Sequence, residues 1–186
     1  MTHTKNPQQK RRNIIEAAKS ILRQGGIFTK FSLEKVARQA GVSKGGLMHH
    51  FPSKDALLCG VSESIIDEFE TVLKQNLDEQ DSSAGHFTRA YIKAALDSEH
   101  DTQAISPVLL AFYQAIDKSD ADTRFNYWQK QTITDGLSIE RATIIRLAVD
   151  GLLYQEIIDG QPIDAELREK VIAELYKLVE EATANS

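Results

Sequence analysis

The segment from Ser43 to Lys54, SKGGLMHHFPSK, gathers two lysines, two serines and two adjacent histidines around a pair of glycines. Ammonium, hydroxyl and imidazole donors in one short stretch suit a partner rich in anionic oxygens, such as a nucleic-acid backbone. Other chemistries are poorly served. His49 and His50 invite a metal reading, but adjacent helix residues point about 100° apart. No His, Cys or Asp follows at i+3 or i+4 to complete a site, so no metal is expected. The chain has no nucleophile beside a recognisable base and no Gly-rich phosphate loop of the GxxxxGK form, so neither enzyme activity nor a cofactor is expected. The single cysteine, Cys59, rules out an intramolecular disulfide and any multi-cysteine metal cluster. It reads as a small core residue, with a redox switch as the alternative. Lys54 has two readings as well. It is a surface residue, or it is a phosphate ligand at the positive end of a long helix, where the helix dipole adds to its charge.

These groups need elements to hold them. Ser32 is placed to cap a helix whose Leu33, Val36, Ala37 and Ala40 share one face, and Gly41 ends it. Ser43 can cap a short helix of roughly 44–50. Two short helices joined by a tight turn, here Gly41-Val42-Ser43, are the sequence form of a helix-turn-helix. In such a pair the second helix suits the major groove. Its outward side chains Lys44, Met48 and His49 are free to meet base edges, while Val42, Leu47 and Phe51 hold it to the scaffold. Upstream, Ile14, Ala18, Ile21 and Leu22 mark a first helix over 8–24, closed by Gly25 and Gly26. Downstream, Pro52 and Ser53 precede a long helix starting near Lys54.

The charge follows the same division. The 186 residues carry a net charge of −5, which taken whole argues against a nucleic-acid partner. Residues 1–60, however, hold eleven Lys and Arg against Glu16, Glu34 and Asp55, a balance of +8, and the remainder carries −13. A basic head on an acidic body suggests a polyanion-binding module joined to one that repels polyanions, with a solvated helix face of no consequence as the alternative. The longest strictly apolar run, Val108 to Tyr113, has six residues, far below the roughly 20 that span a bilayer. The first residues lack the apolar stretch of a signal peptide, so no membrane partner and a cytoplasmic location are expected. Helical spacing continues through the body at about 54–77, 85–98, 106–116, 121–134, 138–158 and 164–182. The expectation is an all-α chain of about nine helices.

The run AGVSKGGLMHHFPSKDALL, preceded by a helix bearing Ala17-Ala18, a Gly-containing break and Ser32 to Ala40, resembles the DNA-binding domain of the TetR family of bacterial regulators. The resemblance covers about residues 8–60. It implies an N-terminal three-helix helix-turn-helix domain, 1–53, and an antiparallel helical domain for effector binding and dimerisation, 54–186. It further implies groove or base-edge contacts from Lys44, Gly45, Met48 and His49. Phosphate contacts are implied from Thr29, Ser32, Ser43, His50 and Lys54, with packing against the scaffold as the other reading of His50. Two departures stand out. Gly46 replaces a common Ser or Thr, and Met48 replaces the usual Tyr, exchanging a hydroxyl for a flexible apolar group able to touch a thymine methyl.

In the body, the resemblance implies a small-molecule effector and a two-fold partner. Tyr91, Phe112, Tyr113, Phe125 and Trp128 form an aromatic concentration that reads either as plain core or as the wall of a pocket. Nearby Asp117, Asp120 and Asp122 favour an apolar or cationic ligand. Ala148, Gly151 and Leu152 on one helix, with Leu167, Val171, Leu175 and Leu178 on the next, form stripes that a single chain could satisfy. In the family resemblance they pack on a second copy as a four-helix bundle. The expected protein is a homodimeric repressor released from a double-stranded palindromic operator by an effector. The alternative is a DNA-binding protein of the same fold that needs no effector and acts through a protein partner.

Overall fold

In the computed structural model the described residues are 6–25, 31–78, 81–96, 119–155 and 163–184, and they contain eight helices and no strand. These are α1 (Pro7–Gly25), α2 (Leu33–Gln39), α3 (Lys44–His50), α4 (Lys54–Asn76), α5 (His86–Leu96), α6 (Ser119–Ile133), α7 (Ile139–Gln155) and α8 (Ala165–Ala184). The all-α expectation holds. The helix expected at 106–116 lies outside the described residues, as do Thr29, Phe112 and Tyr113.

The chain divides into two compact units, with the break between Ile66 and Asp67 inside α4. The sequence reading placed the boundary earlier, at 53/54. The shift has a packing cause: Leu57, Val61 and Ile65 on the first half of α4 belong to the same buried cluster as Ile14, Ala18, Leu22, Val36, Leu47 and Phe51. The head therefore closes its core with α4.

Within the first unit the local signals act as their chemistry suggests. The Ser32 side chain accepts from the Lys35 amide (3.3 Å) and that of Ser43 from the Gly46 amide (3.0 Å), so both serines are N-caps. Ser53 does the same for α4, accepting from Ala56 at 3.0 Å. Gly41 sits at φ 66°, the left-handed conformation that lets the chain leave α2 and enter α3 across the four residues 40–43. Gly60 has a different use. A Cβ there would lie 2.6 Å from Phe51 Cε1, so the glycine makes the room in which the Phe51 ring seats α3 against α4.

The second unit is built around α5, whose Phe87, Thr88, Ala90, Tyr91, Ile92, Ala94, Ala95 and Leu96 are all buried. It packs against α6, α7 and α8. Its start is capped from a distance by Asp135, whose side chain is fully buried. That carboxylate accepts from the amides of Phe87 (3.1 Å) and Thr88 (2.7 Å) and from the Thr88 hydroxyl (2.8 Å), and it pairs with His86 Nδ1 at 3.0 Å. At the other end of α5, Arg168 donates to the Leu96 carbonyl (3.3 Å), and Arg141 donates to the Leu178 carbonyl within α8 (2.9 Å).

Candidate nucleic-acid interface

α3 is short, and one side of it is anchored. Leu47 is fully buried and Phe51 almost so, and half-buried Val42 packs on the same cluster. The other side faces solvent: Lys44, Gly45, Met48 and His49 are all exposed. Met48, at 42% exposure, is the one large apolar side chain left largely open among the described residues of this unit. A largely exposed thioether between a lysine and a histidine on α3 is poor for stability alone. It is well suited to a thymine methyl in a groove.

The polar groups around this face are held ready. Ser32 and Ser43 both use their oxygens as acceptors within the caps; the Ser32 hydroxyl donates to the Glu34 carboxylate, while that of Ser43 is placed to donate to an outside acceptor such as a phosphate oxygen. Gly46 lacks the hydroxyl seen in similar sequences, yet it has a local use. A Cβ there would lie 3.1 Å from Ser43 Oγ, crowding the cap. His50 is half-buried, and its ring meets that of exposed His49 edge-on at 5.6 Å. Lys54 Nζ stands 5.5 Å from the centroid of the Phe31 ring, a cation–π contact that steadies the ammonium at the start of α4.

Two features were not legible in the sequence. Beside α3 lies an open hollow of about 370 Å³, whose wall includes Lys10 and Asn13 of α1 together with Ser43, Gly46, His49 and His50. Lys10 and Asn13 thereby join the donors on this face. The only hint was Lys10 within the basic sequence KRR. The second feature is an ion pair between Lys44 Nζ and Glu34 Oε1. The lysine at the tip of α3 already has a carboxylate partner on α2, and the pKa of that partner is held below the ordinary carboxylate value chiefly by the Lys44 hydrogen bond.

Cys59 is half-buried, and its thiol is pushed up by burial and by the carboxylates of Glu63 and Asp55. That is the reverse of the electropositive setting a reactive cysteine needs. Among the described residues no three His, Cys, Asp or Glu gather to hold a metal ion, and no helix is long and apolar enough to cross a membrane.

In the second unit, Tyr91 and Trp128 are buried and both rings meet Phe69 of α4, at centroid distances of 5.7 and 4.7 Å. Phe69 was missed by a reading confined to residues 91–128. Phe125 lies on α6, but its side chain is outside the described set. The Tyr91 hydroxyl donates to Asp150 (3.3 Å), which also accepts from Arg146 (2.9 Å); burial pushes the Asp150 carboxyl up despite both donors.

The residues read as a pairing seam divide. Leu152 and Leu175 are buried in the core of their own unit, so they are not available to a second chain. Gly151 and Leu167 are exposed, and Ala148, Val171 and Leu178 are half-buried. The open face of α7 is instead Ile144, Leu147, Ala148 and Gly151, spaced i, i+3, i+4 and i+7. Ile144 and Leu147 are 57% and 55% exposed. A Cβ on Gly151 would meet nothing within 4 Å.

Comparisons with known proteins cover both units. Residues 14–61 match the family described as bacterial regulatory proteins, tetR family, and residues 85–180 match the tetracyclin repressor-like C-terminal domain. The HTH-type transcriptional regulator BetI of Paraburkholderia phytofirmans is 22% identical over 91% of this chain and 93% of its own. The HTH-type transcriptional regulator RutR of Escherichia coli strain K12 is 42% identical over 65 residues, covering 35% of this chain and 30% of its own. Among solved structures, a transcriptional regulator from Rhodococcus sp. Rha1 superposes with a TM-score of 0.68 at 21% identity, over 92% of this chain and 96% of that one.

Proposed function

The chain belongs to the tetR family of bacterial DNA-binding transcriptional regulators, and from that premise we propose that it is a cytoplasmic homodimeric repressor, released from a palindromic operator by a small molecule. The observation that carries the reading is the division of α3 into a buried side, Leu47, and an exposed side, Lys44, Gly45, Met48 and His49. Each subunit inserts that exposed side into a major groove. Ser32, Ser43, His50, Lys54 and the neighbouring Lys10 hold the flanking phosphates, which position the helix while the base contacts specify. Thr29 belongs to the same proposed set. The +8 balance of residues 1–60 supplies the sequence-independent attraction.

Pairing is supported by α7, which is apolar on two faces. One face, with Ile145, Val149 and Leu152, fills its own core, and the other, with Ile144 and Leu147, faces solvent. A helix apolar on both sides needs a second partner. A copy of itself gives a closed, self-complementary solution together with the Leu167, Val171 and Leu178 side of α8.

The effector reading rests on Phe69, Tyr91 and Trp128 with Asp150 beside them. Aromatic faces next to a carboxylate favour an apolar or cationic ligand. Because α4 carries both Phe69 and Lys54, an effector that displaces α4 reaches the reading head through one continuous helix. It can lower DNA affinity only by as much as it prefers the displaced conformation. A gel-shift on the DNA flanking the chain's own gene tests this, with and without a panel of lipophilic cations and phenolic compounds. Specific binding relieved by a ligand is expected. Specific binding indifferent to every ligand and dependent on a protein partner would overturn the effector reading and leave the regulator.

A further inference from the structure

We infer that Glu34 is a specificity residue for DNA: an internal counter-charge that holds Lys44 and raises the threshold for non-specific phosphate binding, a role that rests on the DNA-reading face described above. Lys44 is the first residue of α3, where the helix dipole disfavours a cation. Glu34 stands in the first turn of α2, where the same effect favours an anion, and the two side chains meet across the helix-turn-helix. Both are more than half exposed, at 55% and 61%, so the pair sits on the surface that DNA approaches rather than in the core. The Lys44 hydrogen bond is the leading cause that holds the Glu34 carboxyl below the usual carboxylate range, ahead of its own backbone amide and the Ser32 hydroxyl.

The consequence is a competition. A phosphate oxygen that takes Lys44 must displace a carboxylate already bonded to it, and the displaced Glu34 is then a negative charge close to the DNA backbone. A randomly placed phosphate offers Lys44 one charge in exchange for one charge. A guanine edge in register offers O6 and N7 acceptors that carry no net charge, so they neither compete for the ammonium as a counter-ion nor repel the carboxylate, and Lys44 can donate to them with Glu34 still in place. Glu34 therefore weakens random binding more than operator binding. It also holds the lysine stem over the groove-facing side of α3 before DNA arrives, which lowers the side-chain entropy lost on binding.

The test compares the full-length wild type with Glu34→Gln and Glu34→Asp by fluorescence anisotropy. One probe is the duplex enriched by in vitro selection on the wild type, and the other is a scrambled duplex of equal length. With Glu34→Gln, affinity for the scrambled duplex should rise about two- to fivefold, the scale of an exposed ion pair. Its salt slope should steepen by up to about 0.9, one additional counterion released. Affinity for the selected duplex should change less, so the ratio between the two falls; Glu34→Asp should restore most of it. In the Lys44→Gln background the Glu34→Gln effect should vanish. Equal affinities and slopes for wild type and Glu34→Gln would overturn the inference. So would a parallel loss on both duplexes with unchanged slope, the mark of a purely structural role. Failure of the wild type to enrich any duplex would instead overturn the DNA-reading face itself.

Discussion

Lys44 and Lys54 look alike in the sequence and differ in the structure. Lys44 lies on the reading helix in partnership with Glu34, whereas Lys54 lies at the start of α4 over the Phe31 ring. Lys54→Ala should therefore weaken binding to every DNA sequence about equally and lower the salt slope by roughly one ion, measured by anisotropy across a salt series. An unchanged slope would remove its phosphate role. Asp150 gives a pH prediction of definite sign. Its folded carboxyl is raised above the ordinary 3.8, chiefly by burial, so the folded state holds the proton more tightly than the unfolded one. Stability from this group is thus lost as pH rises from about the unfolded value through the folded one. Asp150→Asn, which cannot ionise, should gain in Tm relative to the wild type as pH climbs from 3.5 to 7; a difference independent of pH would contradict the assignment. Neither the Glu34 pair nor the Asp150 triad was legible in sequence. Glu34 and Lys44 lie ten residues apart and Tyr91 and Asp150 lie 59 apart, and only tertiary packing brings each of these two pairs together.

At the scale of elements, what is encoded within a few residues was readable. Ser32, Ser43 and Gly41 each act on backbone within three positions, and all three perform the cap or turn that their chemistry favours. Leu47 and Phe51 are buried, as the spacing implied. The start of α5 shows the limit. Its cap comes from Asp135, 47 residues downstream of Thr88, and no local pattern announces it. A fully buried carboxylate holding two amides and a hydroxyl leaves all three donors unmet when removed. Asp135→Ala should cost about 3 kcal/mol in chemical denaturation. A loss below about 1 kcal/mol would show that water replaces the carboxylate. Residue Gly60 makes a companion case: the alanine Cβ would press on Phe51, the side chain that seats α3, so loss of DNA affinity should accompany loss of stability.

For the whole molecule, the charge contrast between head and body and the all-helical class were both present in the sequence and pointed to a polyanion-binding head, while the regulator itself was read from the resemblance carried by AGVSKGGLMHHFPSKDALL. The pairing face was less legible. Because α7 is apolar on two faces, periodicity could not say that Ile145, Val149 and Leu152 turn inward while Ile144 and Leu147 turn outward. A charge placed on the open face should separate the copies without touching the core. Leu147→Glu is expected to give monomers by light scattering, with normal helicity and weakened operator binding; a dimer would place the seam elsewhere. The central claim, that two α3 helices read DNA as a two-fold pair, is tested most directly by in vitro selection from random duplexes on the full-length wild type. The account predicts enrichment of an inverted repeat whose half-sites are separated by about one helical turn, 10–10.5 base pairs, or a multiple of it, and loss of that enrichment with Lys44→Ala. Recovery of no sequence, or of a single asymmetric site bound by one subunit, would contradict it.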